Sequence, residues 1–147
     1  MESTAPTSKV TVMQSDKIAK AVGPFCPGKF IHFPDGSVQG YTSGQLGLDP
    51  ATNKLVEPKE GEDLVVAQAH QVLTNLKNLV EDNGFDFEKH CIKNTVFLVD
   101  MGDFAKVNDV YRKFFTSEFP ARTCIAVSAL PLGGKVEVES ILFKPAH

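Results

Sequence analysis

The residues of this 147-residue chain best suited to binding or acting on a small molecule lie near its C-terminus. Arg122 stands at the head of an apolar run, residues 121–130, and its guanidinium is a planar, permanently charged fork that matches a carboxylate. Glu137 and Glu139 follow in a second run, residues 135–139, where strand alternation places both side chains on one face. Charges at strand positions are also commonly solvated, so from these residues alone a binding role and a plain surface position both stay open.

A nucleophilic role has little support in the sequence. Cys124 shares a strand face with Arg122, which could lower the pKa of the thiol, but no histidine stands near it and a cysteine in an apolar strand is normally inert. Cys26, Cys91 and Cys124 lie far apart without a Cys-x-x-Cys pair, a usage that favours a reduced, cytoplasmic protein. Scattered histidines and the absence of a phosphate-binding glycine loop predict neither a metal nor an organic cofactor.

Length and charge narrow the class further. One domain spanning residues 1–147 is expected, and the net charge of −3 without a lysine or arginine block argues against a nucleic-acid partner. The first residues lack a hydrophobic signal core, and the apolar runs are too short to span a membrane.

The runs at residues 119–130 and 135–139 flank Pro131-Leu132-Gly133-Gly134, which predicts a C-terminal antiparallel hairpin. Pairing around this turn places Glu137 opposite Ser128, about 20 Å from Arg122 at the usual strand rise. Unless a bulge shifts this register, the two charged residues could share a small ligand only if two copies of the chain supply them. Because neither face of the hairpin is polar beyond Arg122, we expect both faces to be covered.

The remaining elements must position these residues. Alternation predicts strands at residues 9–14, 29–33, 37–42 and 90–99, a loop at 46–58, and helices at 63–83 and 103–115. Asp63 is the expected N-cap of the long helix, and Gly84 the left-handed residue after it. The inner stripe of the second helix is predicted to be Phe104, Val107, Tyr111 and Phe114. This order predicts an α+β domain with two helices on one face of a mixed sheet, and a homo-oligomer that covers the other face.

Several segments, in order and together, resemble the RidA/YjgF family of reactive-intermediate (imine) deaminases. They are Gly23-Pro24, Thr42-Ser43-Gly44-Gln45, residues 94–101, Pro120-Ala121-Arg122-Thr123-Cys124 and residues 135–139. The resemblance implies a chorismate-mutase-like fold assembled as a homotrimer, with a pocket at each subunit interface. It also implies hydrolysis of 2-imino acids, such as 2-aminoacrylate and 2-iminobutanoate, to 2-keto acids and ammonia without a cofactor.

The resemblance further assigns roles to residues. Arg122 would hold the substrate carboxylate, and Glu137 would orient water or move protons at the imine carbon. Backbone N–H groups around Gly44 and Cys124 would assist. The implied substrate-binding residues are Phe25, Ser43, Gly44, Asn108, Arg122, Thr123 and Cys124.

Two features depart from the family pattern. Phe25 stands where the family often has tyrosine, so one pocket hydroxyl is missing and activity could be narrower. Residues 28–40 are longer than usual, which favours a hairpin extension over a reshaped pocket rim. Two other functions therefore stay open: a non-catalytic binder of 2-keto acids, and a ribonuclease or translation inhibitor, which the acidic charge balance disfavours.

Overall fold

The computed structural model describes residues 5–147 and contains one mixed seven-stranded sheet. The strands are β1 (Lys9–Val12), β2 (Gly28–His32), β3 (Val38–Thr42), β4 (Gln45–Leu46), β5 (Cys91–Leu98), β6 (Ala121–Ala126) and β7 (Val136–Lys144). The helices are α1 (Leu64–Asp82), α2 (Phe87–His90) and α3 (Phe104–Tyr111). The strand order is β1-β2-β3-β7-β5-β6, with β4 also paired to β7. The predicted mixed sheet is confirmed, whereas β4 and α2 were not predicted.

The predicted C-terminal hairpin is wrong. β5 lies between β6 and β7, parallel to β6 and antiparallel to β7. The connection from β6 to β7 runs through a short 3-10 turn at Pro131–Gly133, with Leu132 at φ +59°, and passes across the end of β5. A tight turn can join two antiparallel strands that pair with each other. Here β6 and β7 each pair with β5 instead, so the proline-glycine segment must span the distance across β5.

The core fills the space between the sheet and the two longer helices. Val72 and Leu76 of α1 and Val96 of β5 are fully buried, and Val138 of β7 is nearly so. Apolar residues at helical spacing explain this face of α1. Asp63 is the N-cap residue of α1, as predicted. Its carboxylate pairs with Lys106 at 3.0 Å and makes no capping hydrogen bond.

The end of α1 is as the sequence predicts, whereas α3 ends at Tyr111 rather than at the predicted residue 115. Gly84 has φ +91°, the left-handed conformation expected after α1. In α3, Val107 and Tyr111 are buried as predicted and Phe114, beyond the helix, is half-buried. Phe104 is 39% exposed, so its place in the core stripe is wrong; it faces the side chain of Arg122 instead.

Strand alternation leaves the second sheet face uncovered within residues 5–147. Every strand except β4 contributes apolar side chains to this open face. They are Val10, Val12, Ile31, Tyr41, Phe97, Ile125, Ile141 and Phe143. Ile125 on the edge strand β6 is 42% exposed and Tyr41 is 43% exposed. Within one chain only the helix-facing side of β6 is covered, and cover of its other side by a further copy stays a prediction.

The longer segment at residues 28–40 forms a regular antiparallel hairpin from β2 and β3. Phe30 is buried and stacks on Phe85 beyond the end of α1, with ring centroids 5.4 Å apart. The hairpin tip points away from Phe25 and Ser43, which lie near the opposite, open end. The structure thus agrees with a hairpin extension. None of the helices within residues 5–147 is long and apolar enough to cross a membrane.

Candidate functional site

The predicted site residues are divided between two cavities. The Arg122 cavity, of about 270 Å³, is lined by Asn108, Tyr111, Arg112, Phe119, Pro120 and Arg122. The Glu137 cavity, of about 620 Å³, is lined by Val22, Phe25, Thr42, Ser43, Gly44, Leu46, Pro131, Glu137 and Glu139. The structure therefore brings Arg122 together with Asn108, and it separately brings Glu137 together with Phe25, Ser43 and Gly44.

One face of α3 holds the Arg122 guanidinium. Nη2 of Arg122 donates a hydrogen bond of 2.8 Å to Oδ1 of Asn108. Cζ of Arg122 lies 4.8 Å from the ring centroid of Tyr111 and 5.4 Å from that of Phe104. Residues 104, 108 and 111 recur at helical spacing, which places all three on the same side of α3.

All the groups that hold Arg122 are electrically neutral. Within residues 5–147, no carboxylate forms an ion pair with Arg122, although this side chain is half-buried. A partly desolvated guanidinium without a counter-charge attracts an anion, and its planar fork favours a carboxylate. The Arg122 cavity is therefore chemically suited to the negative end of a small acid.

A buried polar network lies beneath this arginine. Nδ2 of Asn94, a residue with no exposed surface, donates to Oη of Tyr111 at 2.8 Å. Oδ1 of Asn94 accepts hydrogen bonds from Oγ of Ser140 at 2.6 Å and from Sγ of Cys91 at 3.2 Å. Burial raises the pKa of Tyr111, and it raises the pKa of Cys91 to about 12, so both groups stay neutral at physiological pH. Sequence reasoning missed Asn94, Tyr111 and Ser140 as parts of the site.

The two residues after Arg122 point in opposite directions. Cys124 pairs with Val96 and shares the helix-facing side of the sheet with Arg122. Burial raises the pKa of the Cys124 thiol, and the opposing effect of Arg122 is smaller, so the thiol is not activated. Thr123 pairs with Thr95 on the open face and does not line the Arg122 cavity of its own chain.

In the Glu137 cavity, the glutamate lies against the backbone of Gly44. A Cβ atom at position 44 would overlap the Glu137 carboxylate, so the missing side chain of glycine permits this approach. Burial raises the pKa of Glu137, and the neighbouring carboxylate of Glu139 raises it further. The carboxyl group is thus shifted towards the range in which it can exchange protons near neutral pH.

The rim of the Glu137 cavity combines an aromatic ring and a small hydroxyl. Phe25 is 47% exposed, and its ring borders the opening. Oγ of Ser43 donates a 2.7 Å hydrogen bond to the carbonyl of Cys26, and this bond fixes the loop that carries Phe25. The Ser43 hydroxyl therefore holds the rim of the Glu137 cavity in shape.

The positions of Arg122 and Glu137 correct the hairpin geometry. Glu137 pairs with Phe97 of β5 rather than with Ser128, and Arg122 pairs with Asn94 of the same strand. Residues three apart on a strand face opposite sides, so the two charged groups lie on opposite faces of the sheet. Their backbones are separated by roughly 14 Å, from two strand spacings and three residue rises.

No group of three or more His, Cys, Asp or Glu side chains within residues 5–147 is arranged to hold a metal ion. All three cysteines are free. The site thus consists of an arginine without a carboxylate partner among the described residues and a glutamate of raised pKa, each with its own cavity.

The mixed sheet with helices on one face defines a small α+β domain, and its two cavities carry a half-buried arginine and a half-buried glutamate. The family model described as Endoribonuclease L-PSP matches residues 34–143, and the chain belongs to this family, the RidA/YjgF proteins. The resemblance found in the sequence is thereby confirmed.

Individual relatives cover most of the chain. Protein DfrA of Myxococcus xanthus is 44% identical over 129 residues, 88% of this chain and 92% of that protein. The 2-iminobutanoate/2-iminopropanoate deaminase of Capra hircus is 42% identical over 130 residues, 88% of this chain and 87% of that protein. Among solved structures, TdcF of E. coli with bound serine has a TM-score of 0.78 and 31% identity, over 92% of this chain and 99% of that chain.

Proposed function

We propose that this protein hydrolyses 2-imino acids and their enamine tautomers, such as 2-iminobutanoate and 2-aminoacrylate, to 2-keto acids and ammonia. The observation that carries the proposal is the half-buried Arg122 guanidinium, which is held by neutral groups and has no carboxylate partner among the described residues. The deaminase name of the goat relative and the serine bound to TdcF, a small amino acid with a carboxylate, support it.

In the proposed mechanism, Arg122 binds both oxygens of the substrate carboxylate. Asn108 keeps the guanidinium in place through the bond from Nη2 of Arg122 to its Oδ1. A bidentate pair fixes the direction in which the imine carbon points, and this orientation supplies part of the catalysis. The imine carbon is already electrophilic, so the residues need only position it and move protons.

Glu137 is proposed to handle those protons. Its ionised carboxylate accepts a proton from water as the water oxygen bonds to the imine carbon, giving a carbinolamine. Nitrogen takes up that first proton as the carbinolamine forms. Glu137 then removes the proton of the new hydroxyl and passes it to nitrogen, so that the carbon–nitrogen bond breaks, the keto group forms and ammonia leaves. The raised pKa of Glu137 favours both the uptake and the return of the proton near neutral pH.

The proposed pocket takes Arg122 from one subunit and Glu137 from its neighbour. The two residues lie on opposite faces of one sheet, so a single chain does not present both to one small ligand. The apolar open face, with Tyr41 and Ile125 exposed, supports association with further copies. We propose a homotrimer of chorismate-mutase-like chains, in which Phe25, Ser43 and Gly44 join Asn108, Thr123 and Cys124 around the substrate.

We propose a reducing, cytoplasmic location for the protein, which its three free cysteines support. We also propose that residues 1–147 form a single domain.

A non-catalytic binder of 2-keto acids is the second candidate. Phe25 favours it, because a half-exposed ring without a hydroxyl lines the Glu137 cavity where the family often has tyrosine. The name of the family model also raises ribonuclease activity, but the net charge of −3 does not favour binding of an RNA backbone.

The decisive assay generates 2-iminobutanoate in situ with a dehydratase and follows its decay. We expect wild-type protein to accelerate the decay and Arg122→Ala to remove the acceleration, while Lys113→Ala, an exposed cation outside both cavities, retains it. Binding of 2-oxobutanoate without acceleration would favour the binder. Loss of RNA that persists in Arg122→Ala would favour the ribonuclease.

A further inference from the structure

The side chain of Tyr111 occupies an unusual position between the core and the Arg122 cavity. The residue is only 5% exposed, yet its ring lies 4.8 Å from Cζ of Arg122 and lines the cavity. A cation over an aromatic face is attracted by the ring electrons, and the attraction strengthens when the pair is desolvated. Tyr111 thus contacts the group that is expected to bind substrate without needing to contact the substrate itself.

The hydroxyl of Tyr111 is fixed from the opposite side. Asn94 donates to it at 2.8 Å, and Asn94 is itself held by Ser140 at 2.6 Å. A buried amide whose hydrogen-bonding groups are satisfied has few alternative orientations. The plane of the Tyr111 ring is therefore set by β5 and β7, although the residue itself belongs to α3.

The arrangement also explains why neutral groups hold the arginine. A carboxylate in the place of the ring would position the guanidinium equally well, but it would neutralise the charge and compete with a ligand anion. The ring face positions the guanidinium without neutralising it, and among the described residues only Asn108 accepts a side-chain hydrogen bond from it. Phe104 adds a second ring at 5.4 Å, but it is 39% exposed and farther from Cζ.

We infer that Tyr111 is a positioning residue for Arg122, and that the face of its buried ring holds the guanidinium in place for the ligand carboxylate. The functional part of this inference rests on the proposed use of Arg122 as the carboxylate-binding group. The placement of the guanidinium is a separate property, and it can be measured without any ligand.

The test exploits the presence of only two arginines in the sequence, Arg112 and Arg122. In the full-length protein labelled with 15N-arginine, Arg122 should show ring-current-shifted side-chain protons and restricted rotation, with exposed Arg112 as the internal reference. Tyr111→Phe keeps the ring and should preserve these signals, although it removes the bond to Asn94 and lowers stability. Tyr111→Leu should move the Arg122 signals towards those of Arg112.

Titration with 2-oxobutanoate gives the functional readout. We expect Tyr111→Phe to bind within about threefold of wild type and Tyr111→Leu to bind roughly 5- to 30-fold more weakly. Phe104→Leu, at an exposed position that does not threaten folding, should weaken binding by about twofold and reduce the Arg122 shift, and so tests the ring contacts even if Tyr111→Leu does not fold.

Either of two results would overturn the inference. One is an affinity for 2-oxobutanoate that follows the free energy of unfolding, so that Tyr111→Phe binds as weakly as Tyr111→Leu. The other is a set of Arg122 signals that does not change in Tyr111→Leu. If the wild-type protein binds no 2-oxobutanoate, the proposed function fails. The arginine signals then decide the positioning role alone.

Discussion

Arg122 and Glu137 lie on opposite faces of one sheet, each paired with β5 at positions three residues apart. Arg122 faces the helices and contacts Asn108 of α3, whereas Glu137 projects from the open face beside Gly44. A site that uses both groups on one small substrate must therefore combine two chains. Each subunit then contributes one half of two different pockets.

The neutral surroundings of Arg122 can be tested by adding one charge. Asn108→Asp places a carboxylate where Oδ1 now accepts a 2.8 Å bond from Nη2 of Arg122. The resulting ion pair should compete with the substrate carboxylate and weaken 2-oxobutanoate binding by roughly 10- to 100-fold, the range of a charged hydrogen bond. Isothermal titration calorimetry provides the measurement.

Asn78→Asp, the same isosteric change at a half-buried position of α1 outside both cavities, is the matched control and should bind as wild type does. Wild-type affinity in Asn108→Asp would mean that the guanidinium does not contact the ligand.

The missing side chain of Gly44 should affect catalysis through the position of Glu137. The Cβ atom of Gly44→Ala overlaps the Glu137 carboxylate, so the glutamate must move away from its present position. We expect imine hydrolysis to fall by about 10-fold or more, since displacement of a catalytic group by about 1 Å has effects of this size or larger. In a Glu137→Gln background, the same change should have little further effect. An equal additional loss in both backgrounds would assign Gly44 an independent role.

The pH dependence of hydrolysis should reflect the pKa of Glu137 and the effect of the neighbouring Glu139 on it. Burial and, secondarily, Glu139 raise the pKa of Glu137, which must be ionised to accept a proton from water. Glu139→Gln removes the second contribution and lowers the pKa of Glu137. The acidic limb of the kcat/KM profile should therefore move to lower pH. A limb that stays in place or moves to higher pH would show that Glu137 is not the titrating base.

The missing hydroxyl at position 25 can be restored. Phe25→Tyr adds an oxygen to a ring that is 47% exposed, so the free energy of unfolding should change by no more than about 0.5 kcal/mol. Provided that the hydroxyl regains a hydrogen bond to substrate, kcat/KM should rise by roughly 2- to 12-fold. A fall in stability or activity would indicate that the ring packs differently in the assembled pocket.

Local patterns predicted the elements well. The apolar periodicity of α1 and the left-handed Gly84 at its end follow from interactions within a few residues, and both are present. The predicted pairing of β6 with β7 was wrong because a proline-glycine segment indicates a turn but not which strands pair on either side of it. The correct pairing of β6 could have been inferred from the order of elements, because α3 lies between β5 and β6 in the chain and a helical crossover joins parallel strands.

The candidate site was predictable only in part. The charges of Arg122 and Glu137 are visible in the sequence, whereas Asn108 was implied only by the family resemblance. The buried contacts of Asn94 do not, because its partners Tyr111 and Ser140 are 17 and 46 residues away in the chain. Phe104 was assigned to the core because its spacing matches the inner stripe, and spacing does not distinguish packing on the core from packing on a guanidinium.

The shared pocket is tested most directly by mixing two inactive chains. Arg122→Ala and Glu137→Gln are each expected to retain only a small residual activity, and light scattering should first confirm that each forms a trimer. After the two are mixed in equal amounts and allowed to exchange subunits, one pocket in four should combine an intact Arg122 with an intact Glu137 from its neighbour, giving about 25% of wild-type activity for random mixing in a closed ring. Activity that remains at the level of the separate variants would contradict a pocket shared between subunits.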